Sequence, residues 1–537
     1  MTLGYLALVL HAHMPFVRHP ESPAVLEERW LSEAVAECYL PLLAMLERLS
    51  AEGLPFRLTL SLSPTLMAML DDDLLRSRCQ QYLQAAGELA EREVHRTAGS
   101  TEAPIAAYYR NRFEWLYHLY TERYGRDLIG AFRRMAAAGY LDLITTAATH
   151  GFLPLLQHYP ELVRAQVAVA LSEFRRRFGY SPRGFWLPEC GFDPGIDRIL
   201  RNAGIDYCVL ETHALFHARP AAPFGTFTHG YTPCGLAVFG RDHLSARQVW
   251  SATEGYPGHE SYREFYRDIG FEREAAHLGP LALPSGIPSF TGLKYCRITG
   301  PVGPKAIYEP AAAEETARRH AAHFIHQRTR QLAEVRGLIP GAPPPILVAP
   351  FDAELFGHWW HEGPCFLDQL ARQTAAGAPF QFITPGEYLR LHPAGQGQLQ
   401  PPYSSWGYNG YAEFWCDETN HWMLRPLHDT GRTMVALARQ MTEPSTTERA
   451  LLNQAAREVL LAQASDWPFM IRAGTAVAYA RQRFDSHIDR FGRLATALTQ
   501  RQAPDPHWLE HVMAVDSLFP QIDYRVYGAE IRRAKGE

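Results

Sequence analysis

Short apolar runs alternate with long amphipathic stretches between residues 3 and 349, and that alternation restricts the chain to folds built on a parallel sheet covered by helices. The apolar runs are 3–10, 56–62, 141–146, 184–187, 207–210, 237–239 and 346–349; the amphipathic ones include 27–50, 74–93, 105–124 and 161–178. Polar residues recur just past the apolar runs: His11 and His13, His150, Glu189 and Asp352. In a parallel barrel every strand ends on the same face, so residues far apart in sequence meet there. An α/β barrel is the economical reading.

From about residue 397 the pattern changes. The turn-rich segment 401–407 leads into a region that is helical almost to its end, through 434–440, 448–462, 476–493 and 508–515. We therefore expect a barrel domain over 1–395 and a helical domain over 396–537. Residues 193–285 mix strand-like pieces with Gly-, Pro- and His-rich loops and are expected as an insertion over the barrel mouth.

A chain of 537 residues is too long for one compact core, and its net charge of −5, with both signs interspersed, leaves no basic stripe for nucleic acid. No apolar run approaches the roughly 18 residues needed to cross a bilayer. The run 3–10 lacks a basic leader and ends in His11-Ala12-His13, so it reads as a first strand and not as a signal peptide. Eight scattered cysteines without CxxC or CxxH suggest neither a zinc knuckle nor a disulfide framework, and a reducing cytoplasm fits them.

Two acidic residues stand among aromatics at strand ends, in Phe185-Trp186-Leu187-Pro188-Glu189-Cys190 and in Phe351-Asp352-Ala353-Glu354-Leu355-Phe356-Gly357-His358-Trp359-Trp360. A charge there is costly unless it has a task. A carboxylate pair is what a retaining glycosidase needs: one attacks the anomeric carbon, and the other protonates the departing oxygen and later deprotonates the incoming hydroxyl. Asp352, surrounded by Phe351, Phe356, Trp359 and Trp360, is expected to be desolvated, which suits an acid. The alternative for each is a helix cap holding backbone N–H groups.

The set His11-Ala12-His13-Met14-Pro15, Thr149-His150-Gly151-Phe152, Trp186-Leu187-Pro188-Glu189-Cys190, the segment 351–360, and Ser405-Trp406-Gly407 through Trp415 resembles the five ordered sequence regions of glycoside hydrolase family 57. Within it the chain is most similar to 1,4-α-glucan branching enzymes, and the similarity extends to Ser465-Asp466-Trp467-Pro468-Phe469. The resemblance implies an incomplete (β/α)7 barrel with a small inserted domain and a C-terminal helical domain. It also implies retaining cleavage of an α-1,4-glucan such as amylose or glycogen, with transfer to a 6-hydroxyl. Glu189 is then the nucleophile and Asp352 the general acid/base, with no cofactor and no metal. A retaining α-amylase or 4-α-glucanotransferase on the same scaffold is the nearest alternative, and a glucan-binding protein with weak catalysis is one of another class.

Around that pair, His11, His13, His150 and Asp466 are expected to bind sugar hydroxyls. Trp30, Trp360, Trp406, Trp415, Trp467 and Phe271 are expected to offer flat faces to sugar rings, against the alternative of ordinary core packing. His11-x-His13 after a first strand also occurs in metal-dependent barrel deacetylases. Those sites draw a carboxylate from the first strand's end, whereas Met14-Pro15-Phe16 follow here. Two features depart from branching enzymes: residues 232–255 contain no tyrosine where a mobile loop usually carries one, and bulky Tyr408 and Tyr411 stand beside Trp406.

Overall fold

The computed structural model describes residues 2–251, 254–300 and 305–528. Nine strands form one sheet: β1 (Gly4–Ala12), β2 (Leu58–Leu62), β3 (Leu141–Thr145), β4 (Gly184–Phe185), β5 (Tyr207–Leu210), β6 (Gly230–Tyr231), β7 (Ala237–Gly240), β8 (Ile346–Asp352) and β9 (Phe380–Phe382). The spatial order is β6-β7-β5-β4-β3-β2-β1-β8, with β9 also paired to β1. Eight of these, β1 to β5 with β7, β8 and β9, pair parallel, and only β6 pairs antiparallel. The sheet curls until Arg241, just past β7, meets Val348 of β8 in a single bridge, with Asp242 donating its N–H to Val348 O at 2.7 Å. It is a seven-stranded barrel with one thinly stitched seam.

Side-chain alternation along the strands explains how the barrel is filled. Leu6, Leu8 and Leu10 of β1 face the covering helices and join the main apolar core, whereas Ala7 and Val9 point inward and pack with Trp186, Val209, Phe239 and Val348. The same parity carries His11 inward at the end of β1, and on β8 it carries Asp352 inward beyond Ile346 and Val348. The β1–β8 register sets His11 directly against Asp352. Two site residues are thereby placed by strand period alone.

The covering helices lie close to the expected spans. The stretch 27–50 becomes Leu26–Ala34 and Leu40–Ala51, joined by a π-helical turn over Val35–Tyr39, and 74–93 lengthens to Asp73–Thr97. A 29-residue helix, Pro310–Leu338, packs beside Gly363–Ala375 and was not anticipated, because its sequence is rich in Ala, Arg and Glu with only a thin apolar stripe.

The expected insertion divides in two. Residues 193–251 belong largely to the barrel, since they contain β5, β6 and β7. In the irregular segment 254–300, Arg263 pairs with Glu37 at 2.8 Å and Lys294 donates to Phe265 O. The helices Leu424–Gln440, Thr446–Ala462, Asp466–Ala473 and Val477–Gln500 pack onto the barrel through the same continuous core, which reaches from Leu6 to Leu460 and Tyr527. Among the described residues no helix is long and apolar enough to cross a membrane, and the eight cysteines are free thiols.

Candidate active site

The carboxyl ends of β1, β3, β4, β7 and β8 surround a cavity of about 470 Å³ that is closed on its far side by the helical region. Its wall brings together His11, His13, His150, Glu189, Arg241, Asp352, Trp406, Trp415 and Asp466. A larger groove of about 1650 Å³ lies elsewhere, between the helices Pro160–Phe178 and Ile196–Asn202. It has no aromatic lining and no converging carboxylate pair, so we place the chemistry in the smaller cavity.

Glu189 sits in a tight turn over Pro188–Cys190, in the left-handed region at φ 60° and ψ 25°, and Cys190 follows at φ 50°. Each such residue costs about 1–3 kcal/mol and persists only where its surroundings over-determine it. Here they do: Trp406 N–H donates to Glu189 O at 2.9 Å, and Phe192 and Ser404 exchange backbone bonds at 2.8 and 3.0 Å. The turn aims the carboxylate into the cavity, where Trp406 Nε1–H donates to Oε2 at 2.6 Å and Ser465 Oγ–H to Oε1 at 3.2 Å. Neither Glu189 nor Asp352 caps a helix with its side chain.

Burial pushes the Glu189 carboxyl up to about 7, opposed by the Trp406 hydrogen bond and reinforced by the nearby charge of Asp352. Asp352 is pushed up to about 6, also by burial, with the Arg241 guanidinium opposing. Glu354, two residues on, accepts from the Tyr39 hydroxyl and from the His13 backbone N–H at 3.3 Å. Burial raises it to about 8, so it is protonated at neutral pH.

The histidines behave differently from the expectation. His11 and His150 are 2% and 3% exposed, and all four of their ring nitrogens are already engaged. Burial holds both imidazoles well below their usual range, so they are neutral. With Glu189 ionised, one polarity satisfies every bond. Ser465 gives its proton to Glu189, so His150 Nδ1–H must donate to Ser465 Oγ at 2.8 Å; His150 Nε2 then accepts from His11 Nε2–H at 2.9 Å, and His11 Nδ1 accepts from Ser61 Oγ–H at 3.1 Å. The two rings thus form a directed wire that ends on Glu189, and their nitrogens are not free for sugar hydroxyls. His13 pairs through Nε2 with Asp466 at 3.1 Å, and its buried Nδ1 has no partner.

The aromatic expectations sort in the same way. Trp30, Trp406 and Trp415 line the cavity, Trp415 stacked on Phe152 with centroids 5.0 Å apart. Trp360 does not: it is 1% exposed, packed against Phe366 at 4.9 Å, because the turn at Gly357 rotates it into the core and leaves its neighbour Trp359 facing the mouth. Trp467 is fully buried and spends its indole N–H on Leu461 O at 2.8 Å, as core packing requires. Phe271 is half exposed but stands outside the cavity, edge-on to Phe290.

Sequence reasoning missed four contributors. Ser465 was overshadowed by its neighbours in the same motif, and Arg241 and Trp250 carry no recognisable spacing. Arg241 donates to Glu211 Oε2 at 2.9 Å and lies over the Trp406 ring at 5.5 Å. Trp250 meets Trp359 edge-on at 5.8 Å across the mouth. Glu354 was in view, but its burial was not.

Residues 7–400 match the family model described as glycosyl hydrolase family 57, and residues 426–527 match the C-terminal region of 1,4-alpha-glucan branching enzymes. The chain is 32% identical over 530 residues to a 1,4-alpha-glucan branching enzyme of Thermococcus kodakarensis, covering 93% of this chain and 74% of that protein. Among solved structures it superposes on an alpha-amylase of Thermotoga maritima with a TM-score of 0.91 and 36% identity, covering 99% of this chain and all of that one. It superposes on a GH57-type branching enzyme of Pyrococcus horikoshii with a TM-score of 0.89 and 31% identity, covering 98% and 97% of the two chains.

Proposed function

The chain belongs to glycosyl hydrolase family 57, and from that premise we propose that it is a 1,4-α-glucan branching enzyme that cleaves an α-1,4-glucan with retention and transfers the cut segment to a 6-hydroxyl. The observation that carries the reading is the pair of inward carboxyls, Glu189 and Asp352, in one aromatic-lined cavity completed by Trp406 and Ser465. A protein that only bound glucan would have no use for a strained glutamate held by two donors.

In this reading Glu189 attacks the anomeric carbon while Asp352 protonates the glycosidic oxygen. The leaving chain departs, and Asp352 then takes the proton of the acceptor 6-hydroxyl as its oxygen displaces Glu189 from the anomeric carbon. Burial outweighs the Trp406 hydrogen bond, so before substrate binds the proton rests more readily on Glu189 than on Asp352, the reverse of what attack needs. The donors from Trp406 and Ser465, both aimed at Glu189, favour its anion. A glycosidic oxygen brought to Asp352 favours the proton there. His13 and Asp466 are proposed to hold sugar hydroxyls, and Trp30, Trp406 and Trp415 to stack on sugar faces. We place the enzyme in the cytoplasm, in keeping with its free thiols.

Hydrolysis is a second reading, favoured by the T. maritima likeness and by the absence of tyrosine from 232–255. The two differ only in which hydroxyl attacks the glucosyl-enzyme. Incubation with amylose followed by enzymatic debranching separates them: new α-1,6 linkages support branching, and reducing ends accumulating without any such linkage overturn it.

A further inference from the structure

Beside the catalytic cavity a second groove of about 520 Å³ opens at the ends of β5 and β7. The two share three wall residues, Arg241, Trp250 and Gly407, and therefore adjoin. The second groove holds no carboxyl pair. It is walled by Phe216, His213 and His243, and its outer rim carries an unusual concentration of exposed rings: Phe216 is 59% exposed, Trp250 43%, and Tyr408 and Tyr411 of the neighbouring loop 62% and 48%. Water-facing rings of this size are disfavoured in a soluble protein unless something covers them.

The groove joins the cavity at Arg241, whose charge bears on Asp352. The leaving chain and the incoming acceptor must occupy the same side of the scissile bond, the side of the acid/base, because deprotonation of the acceptor is the reverse of protonation of the leaving group. We infer that this second groove is the acceptor arm, in which an α-glucan chain stacks on Phe216 and Trp250 and brings a hydroxyl past Arg241 to the glucosyl-enzyme. The inference rests on the transferase reading of the cavity. Between β7 and Trp250 the chain forms the helix His243–Trp250, which walls the arm. Bulky Tyr408 and Tyr411 lie on the loop that flanks it, on either side of the groove-lining Asn409 and Gly410.

The test uses the full-length enzyme with α-maltosyl fluoride as donor and a malto-oligosaccharide as acceptor. Fluoride occupies no acceptor subsite, so donor and acceptor KM are read separately. Phe216→Ala should raise the acceptor KM on the order of fivefold, the loss of one stacking contact, and shift product from transfer toward hydrolysis. The donor KM should stay within about twofold. Phe216→Tyr, which keeps the ring, should restore the wild-type acceptor KM. An unchanged acceptor KM in Phe216→Ala, or a donor KM that rises in step with it, overturns the acceptor arm, as does a wild-type enzyme that transfers nothing. If the products carry only α-1,4 linkages, branching fails while the acceptor arm stands.

Discussion

Trp406 donates its indole N–H to Glu189 Oε2 at 2.6 Å across 217 residues of sequence. This bond joins the segment after the barrel to the strained turn after β4, and it is one of the few forces that lower the Glu189 carboxyl against its burial. Trp406→Phe keeps the ring and removes the donor. The Glu189 carboxyl should rise further; because Glu189 already titrates above Asp352, the alkaline limb of the pH profile should move to higher pH while the acid limb stays in place, and kcat/KM should fall by about tenfold or more. A pH profile with an unmoved alkaline limb would show that the indole N–H does not support the anion.

The wild-type profile follows from the pair. Glu189 must be ionised and Asp352 protonated, and the two titrate at about 7 and about 6. Activity falls at low pH as the nucleophile gains a proton and at high pH as the acid loses one, so kcat/KM should be bell-shaped with its maximum between about pH 6 and 7. A plateau extending down to pH 4, the range of ordinary carboxyls, contradicts this.

Ser465 closes the wire from Ser61 through His11 and His150. Ser465→Ala strands the His150 Nδ1–H and one Glu189 oxygen, at a cost of about 1–3 kcal/mol in stability. We expect kcat to drop with KM little changed, because the serine holds the nucleophile and not the sugar, and Ser465→Thr, which keeps the hydroxyl, should recover most of the activity. Equal losses in both variants would point to packing instead of hydrogen bonding.

Glu354 supplies a stability test. Its folded carboxyl titrates at about 8 against an ordinary 4.5, so the native state holds a proton that the unfolded chain releases between those values. That contribution is complete below about pH 4.5 and is lost as pH rises toward 8, with a slope of at most about 1.4 kcal/mol per pH unit. Glu354→Gln removes the titration and retains the acceptor for Tyr39. Urea unfolding should show the variant gaining on the wild type from pH 5 to pH 8; parallel curves would sink the assignment.

Metal removal should change nothing. His11 and His150 spend their nitrogens within the wire, and the buried group Glu458, His487 and Asp516 in the helical region is already served by cations, with Arg490 on Asp516 and Arg483 Nη2 3.2 Å from His487 Nε2. Activity and Tm should be the same with and without a chelator. A Tm raised by added Zn²⁺ and lowered by EDTA would mean that an ion displaces those arginines.

The alternation of apolar runs was enough to read the parallel barrel, and the position of His11 and Asp352 just past two of those runs was enough to mark them for its mouth. Those features are local: a strand's period is set by its own backbone, and its inward face must be apolar until the strand ends. Motif order likewise marked Glu189, Trp406 and Asp466. The remainder depended on contacts between distant segments. Whether a tryptophan faces sugar or core is decided by what packs behind it, which sends Trp359 to the mouth and its neighbour Trp360 inward. The roles of His11 and His150 turned from sugar contacts to a wire because Ser465, in the turn before the helix Asp466–Ala473 some three hundred residues away, lies within 2.8 Å of one of them. A residue's type and its place on a strand are written in sequence, but its partners, and hence its protonation and its task, exist only once the helical region has closed against the barrel.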